Sequence, residues 1–395
     1  MTKTERLYYS DCYLREFDAR VFHAAPDPQG FRVYLDRSAF YPDSGGQPAD
    51  RGTLGGINVL EVADEGEAVA HVLAREPEKG NLHGVIDWQR RFDHMQQHTG
   101  QHLLSAAFEK TGGYKTVSFH LGAESSTIDL DSERVGTRQM EQAEELANGV
   151  IFEDRAVTVS LRAAAEVGQM DLRKPTHREG DVRLVEIQDF DLSACGGTHV
   201  SRTGAVGLIL VRKVERTRHQ TRVEFVCGGR ALKSARREFR ALSESGRLLS
   251  GGLEEVPALI TKQSEALRAT LRLSEKQTRR LAEYRARELW AAAPDRNGRK
   301  IARHIFAADE NAEAKMLAHA IGALPNAVAL LGVKGSTASV YFAQSPGGPS
   351  DMGAILRQSL AKLGAKGGGT RDFAQGGGLE EGKLDQVLNQ AEELI

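Results

Sequence analysis

The chain has 395 residues, which is enough for two or three domains with substantial cores. Its 52 lysines and arginines nearly balance its 54 aspartates and glutamates, giving a formal net charge of -2, so any contact with nucleic acid has to come from local basic patches. The amino terminus lacks the apolar core of a signal peptide, and the longest nearly apolar run, ten residues from position 324, is too short to span a bilayer. Three scattered cysteines argue against a disulfide framework and favour a reducing compartment. These features predict a soluble, cytoplasmic protein that makes no membrane contact.

Residues 1–88 predict a small β-rich domain. The segment "GFRVYLDRSAFY", from residue 30, alternates apolar and polar side chains with a period of two, and the turn-prone "PDSGGQPADRGTL" follows it. Breaks marked by glycine and aspartate recur at short intervals, as expected of a small barrel or a sandwich.

Residues 89–232 predict an α+β domain, because segments with helical and with strand-like patterns alternate along it. The "TGGY" stretch is expected to end the first of its helices. The predicted elements are a helix over 91–110, a strand-like segment over 115–130, a helix over 137–154, and strands within 183–200 and 204–229.

The rest of the chain divides into a helical linker over 233–292 and a carboxyl-terminal α/β domain over 293–395. The linker is rich in Ala, Leu, Glu and Arg and has few helix breakers, but its leucines sustain no heptad, so a long coiled coil is not predicted. The last domain is expected to contain two helices, two strands, the glycine-rich "AKGGGTRDFAQGGG" from residue 365 and a closing helix. The whole chain is therefore predicted to be an α+β multidomain protein.

Three histidines open the first predicted helix, in the stretch "DHMQQHTGQHLLSAAFEK" from residue 93. His94, His98 and His102 follow one another at intervals of four, so neighbours in the series share a helix face about 6 Å apart. Two such imidazoles can ligate one metal ion, whereas the outer two are about 12 Å apart and cannot. The spacing alone leaves open which pair binds.

A second candidate ligand pair lies in "CGGTH", residues 195–199. The two glycines between Cys195 and His199 predict a tight backbone turn that directs both side chains at one point. Together with one His-x3-His pair, they supply the four ligands that tetrahedral Zn²⁺ prefers. Either pair alone is more often a packed or exposed pair than a metal site, so their joint occurrence carries the prediction. Such a zinc ion is structural if all four positions are filled and catalytic if one can open.

Four motifs resemble those of a known family. "HTGQHLLSAAF", "CGGTHVSRTGAVG" and "RVEFVCGGRAL" resemble the editing domain shared by alanyl-tRNA synthetases and the free-standing alanyl-tRNA editing proteins, the AlaX family. "FYPDSGGQPADRGTL" resembles the glycine-rich motif that these proteins carry upstream, and "GAKGGGTRDFAQGGG" resembles the carboxyl-terminal domain of alanyl-tRNA synthetases. The motifs run from Phe40 to about Leu384. No stretch resembles the class II aminoacylation domain, so the likeness is to the long form of the free-standing editors, with no ATP requirement.

The resemblance implies a fold and a set of site residues. It implies an N-terminal small β-barrel-like domain, an editing domain of the threonyl/alanyl-tRNA synthetase type, the helical linker and the C-terminal α/β domain. It leaves His94 out of the metal site, and this side chain is expected to pack or cap nearby. It places one Zn²⁺ per chain on these ligands: His98, His102, Cys195 and His199.

Two further residues match positions near the reacting ester in the family. Gln101 lies between the two ligand histidines and His120 lies in the following strand. The alternative is that they only orient the metal ligands. A zinc-bound water is the expected nucleophile, unless zinc chiefly anchors the substrate, and no general base is assigned.

Substrate contacts are implied at two places. Thr116 resembles a threonine that recognises the serine hydroxyl, with Ser118 as the neighbour that could replace it; the alternative is a threonine that faces solvent. Gly45, Gly46 and Gln47 are expected to bring backbone near the terminal adenosine or the amino acid, unless they simply form a β-turn at a domain boundary. Ser44 stands where many relatives carry another glycine, which argues against a close approach of the backbone to the substrate at that position.

Two stretches are candidates for tRNA binding. The hairpin "VRKVERTRHQTRVEF" offers basic side chains for acceptor-stem phosphates, although a charge run is more often a solvated face. Glycines of the carboxyl-terminal motif resemble a loop that serves tRNA binding in the synthetases, where the same module supports homodimerisation. The residues are Arg212, Lys213, Arg216, Arg218 and Arg222 in the hairpin, and Gly367, Gly368 and Gly369 in the loop.

The predicted function is hydrolysis of mischarged Ser-tRNA(Ala), with Gly-tRNA(Ala) as a further substrate left open. Alanine is smaller than serine, so selectivity requires a buried polar group that the serine hydroxyl satisfies and alanine leaves unpaired. Two alternatives stay open: a tRNA-binding protein with structural zinc and no hydrolytic activity, and a zinc hydrolase of a small-molecule ester.

Overall fold

The computed structural model describes residues 3–176, 180–361 and 363–395, without the side chain of residue 312. The chain separates into two compact units, Met1–Glu244 and Ser245–Ile395. No helix among the described residues is both long enough and apolar enough to cross a bilayer.

A closed six-stranded barrel forms the first part of unit one. Its strands follow the order β2-β3-β7-β6-β5-β8, and each neighbouring pair is antiparallel. Inward-facing residues such as Val33, Leu35, Leu54, Val62 and Leu73 are fully buried and form its core. The strands are β1 (Glu5–Arg6), β2 (Glu16–Asp27), β3 (Gly30–Leu35), β4 (Arg37–Ser38), β5 (Gly52–Leu54), β6 (Ile57–Glu65), β7 (Ala68–Leu73) and β8 (Asn81–Ile86), with β1 and β4 paired in parallel outside the barrel.

An α+β region follows the barrel within the same unit. Two antiparallel sheets, in the orders β14-β15-β10-β9 and β11-β12-β13, surround a long helix whose apolar side packs into the main core of this unit. The elements are α1 (Trp88–Gly112), β9 (Thr116–Leu121), β10 (Ser126–Leu130), α2 (Thr137–Phe152), β11 (Val157–Ala163), α3 (Ala164–Val167), β12 (Asp181–Ile187), β13 (Asp191–Ala194), β14 (Ile209–Arg216) and β15 (Thr221–Cys227), followed by α4 (Gly228–Leu249).

A buried ion pair joins the barrel to α1. Arg91 on α1 and Asp50, in the loop before β5, are both fully buried, and the guanidinium also donates to the carbonyl oxygens of Cys12 and Ala39. Asp50 in turn accepts from the backbone of Tyr41 at 2.7 Å. Because each of the three guanidinium nitrogens has a partner, the pair fixes the barrel loop against the start of the helix.

The second unit is a three-layer α/β arrangement. Its mixed sheet has the order β16-β17-β18-β19-β21-β20, in which only β17 and β18 run parallel. Successive residues of β18 are buried on opposite faces, one against α6 and the other against α7 and α8. The elements are α5 (Val256–Ala292), β16 (Asp295–Arg296), β17 (Arg299–Phe306), α6 (Asn311–Gly322), β18 (Ala327–Val333), β19 (Ala338–Gln344), α7 (Met352–Leu360), β20 (Lys366–Gly369), β21 (Phe373–Leu379) and α8 (Leu384–Glu393).

The mixed α and β character predicted from the sequence is confirmed. The predicted helix over 91–110 corresponds to α1, which begins at an Asp87 cap and ends at Gly113, a residue with a left-handed backbone. The segment predicted as one strand over 115–130 is a hairpin of two, β9 and β10. The division into four segments stays a prediction.

Candidate metal centre

Four side chains converge at the junction of α1, the loop after β13 and the barrel. His98 and His102 come from α1, and Cys195 and His199 from the loop; one ligand atom of each lies within 4.8 Å of all the others. The Cys195 sulfur is 3.4 Å from Nε2 of His98 and 3.3 Å from Nε2 of His199. The two ligand pairs predicted from the sequence therefore face one point.

The loop that carries the second pair is held by an arginine. The Arg183 guanidinium of β12 donates to the carbonyl oxygens of Cys195 and Gly197 at 2.8 and 2.9 Å. A Cβ on Gly197 would lie 2.2 Å from Cε1 of His98, whereas one on Gly196 would meet nothing nearer than 3.8 Å. Gly197 is therefore required by the space that His98 occupies. Neither glycine has a positive φ, so the need for glycine at position 197 comes from packing against His98 and not from a left-handed backbone.

In all three candidate ligand histidines, Nδ1, the ring nitrogen turned away from the centre, contacts a polar partner. Nδ1 of His98 lies 2.8 Å from the amide oxygen of Gln47, Nδ1 of His102 lies 2.9 Å from Asp191, and Nδ1 of His199 lies 3.2 Å from the hydroxyl of Thr99. In each case the tautomer with the proton on Nδ1 donates outward and leaves the Nε2 lone pair directed at the centre. Metal-binding histidines are commonly oriented in this way.

The partners are themselves held in place. Gln47 Nε2 donates to the Thr198 hydroxyl at 2.9 Å, and its oxygen accepts from the backbone N–H of Thr198 at 3.1 Å. Asp191 accepts from Arg173 at 2.6 Å and from Ser193 at 3.1 Å. The orientation of the His98 and His102 rings is thus set by a second layer of hydrogen bonds.

The charges of the cluster are strongly coupled. Burial alone would raise the pKa of the Cys195 thiol, but the nearby His98 and His199 hold that pKa well below its usual value. Burial would lower the pKa of His102, yet hydrogen bonds to Asp191 and Cys195 outweigh it and raise this pKa to about 9. Burial lowers the pKa of His199 to about 3. A thiolate and neutral imidazoles are the forms that bind a transition metal, so His102 would release its proton on ligating one.

These residues fit a tetrahedral metal ion. Ligand bonds of about 2.0 to 2.3 Å at tetrahedral angles place ligand atoms roughly 3.3 to 3.8 Å apart, close to the two sulfur–nitrogen separations above. One thiolate with three imidazoles is a donor set that Zn²⁺ binds. The four residues could therefore hold a metal ion.

His94 lies outside this group. It is buried on α1, its Nδ1 has no hydrogen-bond partner among the described residues, and burial lowers its pKa to about 3.

The glycine-rich segment forms a two-residue β-turn. Ser44 and Gln47 exchange backbone hydrogen bonds of 3.2 and 3.0 Å, and both Gly45 and Gly46 have positive φ, as a type I′ turn requires. The Gly46 carbonyl accepts from the backbone N–H of Leu121 in β9, which ties the turn to the four-stranded sheet of the α+β region. The turn directs the Gln47 side chain at His98 and Thr198, a contact that the sequence did not predict.

The predicted serine-recognition residue joins a chain of hydroxyl and amide groups on α1. Thr116, half-buried at the start of β9, donates from Oγ1 to Ser105 Oγ at 2.8 Å, and Gln101 Nε2 donates to the same oxygen at 2.9 Å. Ser105 is fully buried and follows His102 by three residues, so both lie on one side of the helix. The alternative residue, Ser118, instead donates to Asp129 at 2.6 Å.

The aromatic ring against the metal centre is Phe119. Its ring stacks on His98 with centroids 5.3 Å apart and planes inclined by 28°. His120 is the next residue of β9 and is exposed, and side chains alternate along a strand, so it points to the other face. The structure does not bring His120 together with the four ligands, and its predicted role stays a prediction.

Most of the hairpin cations already have acidic partners. Arg222 makes two bonds to Asp129, at 2.8 and 3.0 Å, and Arg216 lies 2.6 Å from Glu133. The remaining ion pairs are Arg212 with Glu238 and Lys213 with Glu215, while Arg218 is exposed at the hairpin tip. Replacing one of these cations would also break its ion pair, so a test of phosphate binding has to separate the two effects.

The glycines of the carboxyl-terminal motif form an edge strand. Gly367, Gly368 and Gly369 belong to β20, so the loop expected from the sequence is not observed. A Cβ on Gly367 would lie 2.9 Å from atoms of Gly376 and of Leu356 on α7, which explains the need for glycine by packing. A role in tRNA binding stays a prediction.

Several residues of the centre were not found from the sequence. Thr99 lies between the ligand histidines, and Asp191, Ser193 and Cys195 are spaced two apart, so they share one face of the strand and its continuation. That alternation was a usable sign of Asp191. No local pattern connects Gln47 to His98, because 51 residues separate them.

Comparison with known proteins gives a consistent result. Residues 182–223 match the family described as "Threonyl and Alanyl tRNA synthetase second additional domain". The chain is 32% identical to the alanyl-tRNA editing protein AlaX-L of Pyrococcus horikoshii, over 99% of this chain and 98% of that protein.

Two further relatives cover different parts of the chain. The alanyl-tRNA editing protein Aarsd1 of Danio rerio is 35% identical over 62% of this chain and 64% of its own length. The alanine–tRNA ligase of Pyrobaculum neutrophilum is 33% identical over 95% of this chain but only 43% of the ligase. With the ligand cluster in place and one relative matched from end to end, the chain belongs to the alanyl-tRNA editing protein family.

Proposed function

We propose that this protein hydrolyses the ester of Ser-tRNA(Ala), releasing serine and free tRNA, with a zinc ion held by His98, His102, Cys195 and His199. The observation that carries the proposal is the convergence of these four side chains, three of them with their outer nitrogens fixed by Gln47, Asp191 and Thr99. The full-length relative from Pyrococcus horikoshii is an alanyl-tRNA editing protein, which supports the class of substrate.

Zinc at this centre would act as a Lewis acid on the ester carbonyl or lower the pKa of a bound water to about 7. The ester that joins an amino acid to the tRNA ribose is already activated, so modest catalysis suffices. Among the chain's own groups, Gln101 lies between the two ligand histidines, and its amide nitrogen donates to Ser105. We assign it the positioning of the reacting end of the substrate.

Selection of serine over alanine follows from the hydroxyl chain on α1. Thr116 donates its proton to Ser105, so a lone pair on its own oxygen is available to accept a hydrogen bond from the serine hydroxyl. An alanyl group fits the same space but leaves this oxygen unpaired. A site built to hydrogen-bond a substrate hydroxyl rejects the analogue that lacks it far better than one that relies on size.

A second candidate function is favoured by the ligand count. Four protein ligands complete a tetrahedral site, which is the arrangement of structural zinc, and a structural ion would give a tRNA-binding protein without hydrolysis. A hydrolase of a small ester is the remaining alternative.

Metal removal separates the three functions. The protein is stripped with a chelator, reloaded with Zn²⁺, and assayed for serine release from Ser-tRNA(Ala), for hydrolysis of serine methyl ester and for folding by circular dichroism. The proposal predicts serine release from the tRNA that is lost on stripping and restored by Zn²⁺. Unfolding on stripping without any hydrolysis by the loaded protein supports structural zinc, and hydrolysis of the methyl ester alone supports the small-ester enzyme.

Homodimerisation through the carboxyl-terminal unit stays a prediction from the sequence. Light scattering of the full chain tests it.

A further inference from the structure

One side of α4 carries four cations without acidic partners. Lys233, Arg236, Arg237 and Arg240 are spaced at intervals of three, one and three residues, which places them within one side of a helix. All four are exposed, and none makes an ion pair within the part of the chain that the structure describes. These four residues are called the basic face.

Few acidic residues of α4 lie near the basic face. Between Gly228 and Arg240 the only acid is Glu238, which lies about 150° around the helix from the middle of the basic face and pairs with Arg212. Glu244, one turn beyond Arg240, is the next acid along the chain. In a protein with a net charge of -2, this face is a local concentration of positive charge.

The hairpin predicted to bind tRNA differs in this respect. Four of its cations already contact carboxylates, so a phosphate there has to compete with an existing partner. A phosphate that binds the basic face displaces no such partner. Its side chains extend from a folded helix, which fixes their spacing.

Side-chain contacts anchor the start of α4 to the helix that carries the metal ligands. The Arg230 guanidinium makes three contacts of 2.6 to 3.0 Å with the Asp93 carboxylate on α1 and donates to the Gly122 carbonyl at 2.7 Å. The Gln97 amide exchanges two hydrogen bonds with the backbone of Cys227, immediately before α4. Asp93 precedes the ligand His98 by five residues, or about 8 Å of helix, and the basic face extends about 15 Å along α4 from Arg230.

We propose that the basic face of α4 binds the phosphate backbone of the tRNA whose 3′ end reaches the metal centre. This inference rests on the proposed function for its partner. The 3′ ester is continuous with the acceptor stem, so a phosphate-binding surface has to lie within a few tens of ångströms of the site that takes the ester. Contacts of this kind orient the nucleic acid and read no sequence.

The test removes the four charges and measures binding and hydrolysis separately. The variant carries Lys233→Ala, Arg236→Ala, Arg237→Ala and Arg240→Ala. A matched control loses four exposed cations of the barrel region that also lack ion pairs among the described residues: Arg20→Ala, Arg51→Ala, Arg75→Ala and Lys79→Ala. Affinity for uncharged tRNA(Ala) is measured from 50 to 300 mM salt, and zinc content serves as a check on folding.

The proposal predicts that the α4 variant binds tRNA(Ala) about 10- to 100-fold more weakly at about 0.1 M salt and that its log K against log salt slope falls by at least about 2. Binding of other tRNAs should weaken equally, since phosphates are common to all. KM for Ser-tRNA(Ala) should rise while kcat and zinc content stay unchanged. The barrel control should bind as the unchanged protein does.

Other results overturn the proposal. Equal losses in the variant and the control would mean that only total charge matters. Unchanged tRNA binding together with lost binding to vesicles containing phosphatidylserine would assign the basic face to a membrane surface. Because uncharged tRNA is the ligand, the basic face is tested even if the protein releases no serine; failure of the proposed function would instead show as an absence of hydrolysis by the unchanged protein.

Discussion

The amide oxygen of Gln47 lies 2.8 Å from Nδ1 of His98, which connects the glycine-rich turn of the barrel region directly to a candidate metal ligand. Both residues are buried, and the same oxygen also accepts from the backbone of Thr198 in the loop that carries the other ligand pair. Through Gln47, the turn therefore holds both His98 and the loop that carries Cys195 and His199.

Replacing Gln47 with alanine should weaken zinc binding about 10- to 100-fold, because the His98 ring loses the partner that sets its orientation and tautomer. Competition with a chromophoric chelator measures the affinity. Ser44→Ala, in the same turn, should have no effect, since the structure shows only backbone bonds for Ser44. Equal affinities for the Gln47 variant and the unchanged protein would show that the contact is dispensable.

Gly197→Ala should abolish zinc binding or reduce it more than any other single change in the "CGGTH" loop outside the ligands. The new Cβ would overlap His98, 2.2 Å from its Cε1, and the ring of a buried ligand cannot move away without leaving the centre. Gly196→Ala is the matched control, because its Cβ meets nothing nearer than 3.8 Å. Zinc content by metal analysis measures both, and equal content in the two variants would contradict this explanation of Gly197.

Thr116→Val should lower serine release from Ser-tRNA(Ala) by about 10- to 100-fold, as expected for the loss of one hydrogen bond to the substrate hydroxyl. Slow release of alanine from Ala-tRNA(Ala) should change little, so the serine-to-alanine ratio falls. Ser118→Ala serves as the control, since its hydroxyl contacts Asp129 instead of α1. A ratio unchanged in the valine variant, at unchanged zinc content, would remove Thr116 from the recognition of serine.

His71 gives the barrel a pH-dependent stability. It is fully buried, with its ring nitrogens 2.7 Å from the Ser38 hydroxyl and 3.3 Å from the Val33 carbonyl, and burial lowers its pKa from 6.5 to about 4. Above pH 6.5 both the folded and the unfolded chain carry a neutral imidazole. As the pH falls from 6.5 towards 4, the unfolded chain takes up the proton first, so stability is lost across this window by roughly 3 kcal/mol.

The midpoint of thermal unfolding between pH 7.0 and 4.5 tests this effect. Carboxylates also titrate at the acid end, so the comparison is with His71→Gln, which cannot titrate. The variant should be less stable at pH 7 but lose less stability on acidification. Parallel curves for the two proteins would show that His71 is not responsible.

The four candidate metal ligands could be found in the sequence because their spacings are local. His98 and His102 are one helical turn apart, and Cys195 and His199 belong to one short loop, so each pair is visible without the fold. Their partners Asp191 and Gln47 are 89 and 51 residues from the histidines that they contact, and only tertiary packing brings them together. The family resemblance implies that Gln47 binds the substrate and does not include its contact with His98.

Other differences have equally physical causes. Strand β17 was not predicted because its segment, "RKIARHIF", begins with two charged residues and five of its eight residues are only partly buried. The glycines of β20 were expected in a loop because their motif resembles one in the synthetases, yet here the absence of side chains lets α7 pack closely on the sheet.

The most direct test is release of serine from Ser-tRNA(Ala), measured beside release of alanine from Ala-tRNA(Ala) and beside a variant carrying His98→Ala and Cys195→Ala. The proposed function predicts fast loss of serine, slow loss of alanine, and neither zinc nor activity in the variant. No release of serine by a protein that holds one zinc ion per chain would contradict it and leave a structural metal centre.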